Sequence, residues 1–147
     1  MDSNTERHRD DPRLLDDEVL YRYLHPKFWV VGGSNTRRIS SAFMRFEPGI
    51  DGISVYGATL LISENLAPEE ILPDQSYGLA SLSVGDAREM ECGVIYAPDN
   101  ERPINFAHML ITQPEEPEKP LSRGERRKLS FALIDRMSLL RLPQRPP

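Results

Sequence analysis

Before residue 113, no apolar run in this chain lasts more than a few residues before a turn-forming group stops it. His25-Pro26, Gly32-Gly33, Pro48-Gly49, Asp51-Gly52 and Pro98-Asp99-Asn100 punctuate the sequence at short intervals. Proline removes a main-chain donor and restricts the residue before it, while Gly, Asn and Asp supply turn geometry. Long helices are therefore excluded from this part of the chain, and short strands are favoured. Residues 18–24 show the pattern best: Val19, Tyr21 and Tyr23 alternate with Leu20, Arg22 and Leu24. Aromatic and β-branched side chains at period two describe a half-buried strand.

The same chemistry predicts strands at 28–31, 37–46, 53–56, 79–84, 94–96 and 106–111. Gly32 to Asn35 reads as the turn of a hairpin. Pro68-Glu69-Glu70 has the composition of a helix first turn, with proline near the start and acids at the positive end of the dipole. Gly85-Asp86 opens a helical turn that runs through Met90.

The pattern changes at Ser122. Ser122-Arg123-Gly124-Glu125 has capping-box spacing, in which the serine oxygen takes a free amide and the glutamate reaches back. Leu129, Leu133, Met137 and Leu140, flanked by Ala132 and Ile134, repeat at helical spacing until Pro143. An amphipathic helix over 122–142 follows. The expected fold is α+β: a mostly antiparallel sheet of about five to six short strands with a C-terminal amphipathic helix. Its organisation reads as a disordered acidic arm over 1–13, a core over 14–113, a Pro/Glu linker over 114–121, and the helix.

A chain of 147 residues fits one domain. Its 39% apolar content is low, but nine glycines narrow the gap to an ordinary globular composition. The single cysteine, Cys92, rules out an internal disulfide and a cysteine-based zinc cluster. No run approaches the roughly 20 apolar residues of a membrane span, and the opening MDSNTERHRDD lacks the apolar core of a signal peptide. A cytoplasmic protein without membrane contact is expected.

Charge is unevenly placed. Residues 1–18 hold seven acids against three arginines, whereas residues 121–147 hold seven bases against two acids. The whole chain carries −5, which makes nucleic acid an unlikely partner. Arg123, Arg126, Arg127 and Lys128 crowd the first turns of the terminal helix, where cations oppose the dipole. That placement marks them as candidate binding residues for an acidic partner, RNA or the protein's own acidic arm, with self-association through the helix as a further expectation.

Catalytic motifs are sparse. His8, His25 and His108 lack metal-ligand spacing, so no metal is expected, although His25 and His108 could converge from different strands. Gly32-Gly33-Ser34-Asn35-Thr36 lacks the phosphate-loop patterns, and Cys92 has no nucleophile motif around it. One ordered set remains: Leu20-Tyr21-Arg22-Tyr23, then Ser40-Ser41-Ala42-Phe43, then Glu89-Met90-Glu91. It resembles the arginine–serine–glutamate order of mono-ADP-ribosyltransferases. The resemblance implies NAD as cofactor, with Arg22 on the pyrophosphate, Ser40 or Ser41 orienting the site, and Glu91 stabilising the ribosyl cation. The serine block reads SSA where the family has STS, and 18 residues separate Arg22 from Ser40.

A broader likeness runs through HPKF, RISSAFM, GISVY and FAHML, over about residues 19–111. These blocks resemble small bacterial proteins of unassigned function, which implies a bacterial, single-domain protein and carries no activity. The expected function is a non-enzymatic interaction or accessory protein without a cofactor. The alternative is a minimal NAD-dependent transferase using Arg22, Ser41 and Glu91.

Overall fold

Leu20, Arg22 and Leu24 point one way from the chain and Tyr21 and Tyr23 the other, and the fold is built on that division. A computed structural model of the protein describes residues 10–31, 37–46, 52–98, 104–114 and 121–144. Its strands are β1 (Val19–Leu24), β2 (Trp29–Val31), β3 (Arg37–Ile39), β4 (Ile53–Gly57), β5 (Gly78–Ser83), β6 (Gly93–Tyr96), β7 (His108–Thr112) and β8 (Ser138–Arg141). The α-helices are α1 (Ala58–Ser63), α2 (Val84–Glu89) and α3 (Arg123–Asp135). Six strands make one sheet in the order β6-β7-β4-β1-β5-β8, and β2 pairs with β3 apart from it. Every pairing is antiparallel. The protein is α+β.

Strand β1 lies inside the sheet. It pairs with β5 along its whole length, from Val19↔Ser83 to Leu24↔Gly78, but with β4 only at Leu20↔Gly57 and Tyr21↔Tyr56. Side-chain alternation then sorts the core into two layers. Leu20 and Leu24 join Val55, Ala80, Leu82, Met109 and Ile111 on one face, beneath α3 and the 3₁₀ turn Ser41–Met44. Leu79 and Tyr56 face the other way with Leu61 of α1 and Ile71 of the 3₁₀ turn Pro68–Ile71.

Three expectations are corrected. Residues 37–46 do not form one strand: β3 ends at Ile39 and the 3₁₀ turn Ser41–Met44 follows. Ser40 caps that turn, its oxygen accepting from the Ala42 amide at 3.3 Å. The turn lets the consecutive residues Phe43 and Met44 enter the same core, which strand alternation forbids.

The terminal helix does not run over 122–142. It ends at Asp135, where the Arg136 and Met137 amides donate to Leu133 and Ile134, and β8 follows. The outer edge of β5 decides this. Ser138 pairs with Ser81, Leu139 with Ala80 and Arg141 with Leu79, so the last turns exchange helical bonds for ladder bonds. Leu129, Leu133 and Met137 of the apolar stripe pack on the main core, while Leu140 is 51% exposed. Gly78 makes the close approach possible, since a Cβ there would lie 2.6 Å from the Arg141 carbonyl oxygen and 2.8 Å from the Pro143 ring.

The acidic arm does not extend to residue 13. Residues 1–9 lie outside the described residues, but Asp10 to Arg13 are tied down. The Asp11 amide donates to the Val94 carbonyl at 2.8 Å, and the Val94 amide donates to Asp10 Oδ1 at 2.9 Å. Arg88 reaches Asp10, Asp16 and the Asp11 carbonyl from α2. The edge of β6 supplies the partners that an isolated polar arm lacks. The expected turn at 32–35 and most of the linker, 115–120, lie outside the described residues.

Candidate functional site

Helix α3 starts where its capping box dictates. Ser122 Oγ accepts from the Glu125 amide at 3.1 Å, and Glu125 Oε1 accepts from the Ser122 amide at 2.9 Å. With that start fixed, Arg123, Arg126, Arg127 and Ser130 fall on neighbouring positions of one flank. The 3₁₀ turn Ser41–Met44 packs against the helix and carries Ser41, Arg45 and Phe46 to the same place. Between the two walls lies a cleft of about 530 Å³.

The lining of this cleft has four arginines and no carboxylate among the described residues. Arg126 is half-buried and donates Nη1 to the Leu121 carbonyl at 2.7 Å, which fixes its guanidinium plane. The Arg127 guanidinium lies 5.7 Å from the centre of the Phe131 ring. Ser130 donates its hydroxyl to the Arg126 carbonyl at 3.0 Å, while buried Phe46 provides an apolar wall. Four guanidiniums drawn together from two elements form a surface for anions.

Acids collect elsewhere. Asp16, Asp17, Asp86 and Glu89 border a hollow beside α2. There Arg88 pairs with Asp16 at 2.7 Å, and Arg136 pairs with Glu89 and, at 3.5 Å, with Asp86. The arginines on that side already face carboxylates, whereas the described residues lining the cleft include arginines and no acid.

Of the candidate binding residues, Arg123, Arg126 and Arg127 come together in the cleft and Lys128 does not line it. Sequence reading missed Arg45 as a lining residue of the cleft. Its position in an expected strand gave no sign that the chain turns there toward α3.

The residues matched to the transferase pattern go to separate tasks. Arg22 donates Nε to the Phe43 carbonyl at 3.1 Å and Nη1 to the Ser54 carbonyl at 2.7 Å, with its guanidinium 4.9 Å from the Phe43 ring centre. Ser40 caps a turn and Ser41 lines the cleft. Glu91 closes α2: its amide donates to the Arg88 carbonyl, the Cys92 amide donates to that of Ala87, and its φ is 65°. This is a Schellman ending, with Glu91 in the left-handed position that glycine usually takes. Neither Arg22 nor Glu91 lines the cleft that holds Ser41.

The two histidines are also engaged. His25 Nδ1 accepts from the Lys27 amide at 3.0 Å, and its ring meets that of Tyr77 edge-on at 5.1 Å. His108 is buried, with Nδ1 2.5 Å from the Ala97 carbonyl oxygen and its ring 5.6 Å from that of Tyr56. Among the described residues, no three His, Cys, Asp or Glu side chains are grouped to hold a metal ion. Cys92 is buried, and burial pushes its thiol up to about 12, with the charge of Glu91 adding to the effect. A thiol held protonated is a poor nucleophile.

Among the described residues, no helix is long and apolar enough to cross a membrane. Comparison with family models, curated proteins and solved structures finds no match to this chain.

Proposed function

We propose that this is a non-enzymatic interaction or accessory protein of a bacterial cytoplasm, and that its arginine cleft receives an acidic segment of a partner protein. One observation carries the reading. In a chain of net charge −5, four guanidiniums line one cleft with no carboxylate among its described lining residues. Such an arrangement is unfavourable for the isolated protein, because like charges repel, and a bound anion relieves it. The overall net charge of −5 favours a protein partner over nucleic acid, whose binders carry a basic excess along a phosphate backbone. The transferase alternative needs Arg22, Ser41 and Glu91 at one site, but Arg22 is engaged with the Phe43 and Ser54 carbonyls and neither it nor Glu91 lines the cleft with Ser41.

The test is fluorescence anisotropy with a labelled peptide rich in Asp and Glu. Saturable binding that weakens as salt rises is expected, and Arg126→Glu combined with Arg127→Glu should abolish it. Binding that survives the double charge reversal would overturn the assignment of the cleft.

A further inference from the structure

We infer that the anion taken by the arginine cleft is a phosphomonoester carried on the partner segment, a phosphoserine or phosphothreonine. This deepens the interaction reading and rests on it.

A carboxylate is planar and presents two oxygens, and one guanidinium fork can occupy both of them in its plane. The cleft offers more than that, from two sides. Arg45 enters from the wall beside the 3₁₀ turn, and Arg123, Arg126 and Arg127 enter from α3. A phosphomonoester carries three terminal oxygens pointing in tetrahedral directions, with a charge of roughly −1.5 to −2 at neutral pH. Its third oxygen and larger charge let it engage forks from both walls with more bonds than a single carboxylate can accept.

Two of the guanidiniums are held by the chain itself, Arg126 by its bond to the Leu121 carbonyl and Arg127 by its place over Phe131. Pre-set orientation lowers the entropy lost on binding. Ser41 places a hydroxyl in the same wall as Arg45. The cleft, at about 530 Å³, is much larger than a phosphate group, and Phe46 gives the surplus space an apolar side. That room suits the residues flanking a phosphorylated side chain.

The experiment uses the full chain and three labelled peptides of one sequence, with Ser, Glu or phosphoserine at the central position. Anisotropy should show the phosphoserine peptide binding at least about tenfold more tightly than the Glu peptide. Arg123→Lys with Arg127→Lys keeps the charge and removes two forks, so it should retain Glu-peptide binding and lose the phosphoserine preference. Arg126→Lys should behave in the same way, with thermal melting confirming that each variant is folded. Equal affinity for the Glu and phosphoserine peptides would overturn this inference and leave the acidic-segment reading standing. Failure of both peptides to bind would overturn the two together. Displacement by inorganic phosphate at peptide concentrations, or tighter binding of a single-stranded oligonucleotide, would also overturn it.

Discussion

Arg22 Nη1 donates to the Ser54 carbonyl oxygen at 2.7 Å, at the point where β1 and β4 stop pairing. The strands are joined at Leu20↔Gly57 and Tyr21↔Tyr56 and then part. A cation on the core-facing side of β1, between fully buried Leu20 and Leu24, is expensive unless its donors are met. The Ser54 and Phe43 carbonyls meet two of them, so Arg22 joins β4 and the 3₁₀ turn to the central strand.

Arg22→Ala should accordingly destabilise the fold. Hydrogen bonds to a charged group contribute about 1.5–3 kcal/mol each, and the two carbonyls would lose their partner. Urea denaturation should show a loss of at least about 2 kcal/mol. A stability within error of the parent would show that solvent replaces Arg22 at no cost.

Glu91 makes the opposite prediction. A side chain at φ 65° is strained where glycine is not. Glu91→Gly should raise stability by about 1 kcal/mol, read from the midpoint of chemical denaturation. A decrease would mean that the carboxylate itself supports the turn.

Leu133 tests how α3 is held. It is fully buried and packs in the main core, so the helix docks on its own sheet. Leu133→Ala should cost about 2–5 kcal/mol, including the cavity left behind. Sedimentation at several concentrations, run beside the melt, separates this from loss of a subunit contact. A stable variant with altered association would place the stripe in an interface instead.

Acid sensitivity should begin at the anchored N-terminal segment. Arg13 beside Asp11 lowers that carboxyl to about 2, through a side-chain hydrogen bond foremost and a bond from its own amide next. The folded value lies below the unfolded one, so the pair stabilises the fold above about pH 4. That contribution disappears as pH falls toward 2. Melting temperature against pH should therefore fall less steeply between pH 4 and 2 for Asp11→Asn than for the parent. Parallel curves would show that the pair adds nothing to stability.

Much of the architecture is written locally. Alternation at 19–24 specifies β1, the Ser122–Glu125 box specifies the start of α3, and Gly85-Asp86 marks the first turn of α2. Each depends on groups a few residues apart, and sequence spacing records those distances. The candidate cleft was legible only in part. Three of its arginines stand together in the chain, but Arg45 lies more than 70 residues away from them.

Tertiary structure decided what competition between distant partners decides. Residues 138–141 satisfy helical spacing as well as strand pairing, and the unpaired edge of β5 selects the strand. The same holds for Asp10 and Asp11, polar residues that would stay loose alone but meet the edge of β6 and Arg88. Arg22 and Glu91 looked like a pyrophosphate grip and a carboxylate for the ribosyl cation because their residue types suit those roles. In the folded chain, backbone carbonyls lie within reach of Arg22, and the main chain of Glu91 ends α2 while its side chain stays exposed. Main-chain groups carry no sequence signature, so a side chain that serves them cannot be told from one that awaits a ligand until the backbone is placed.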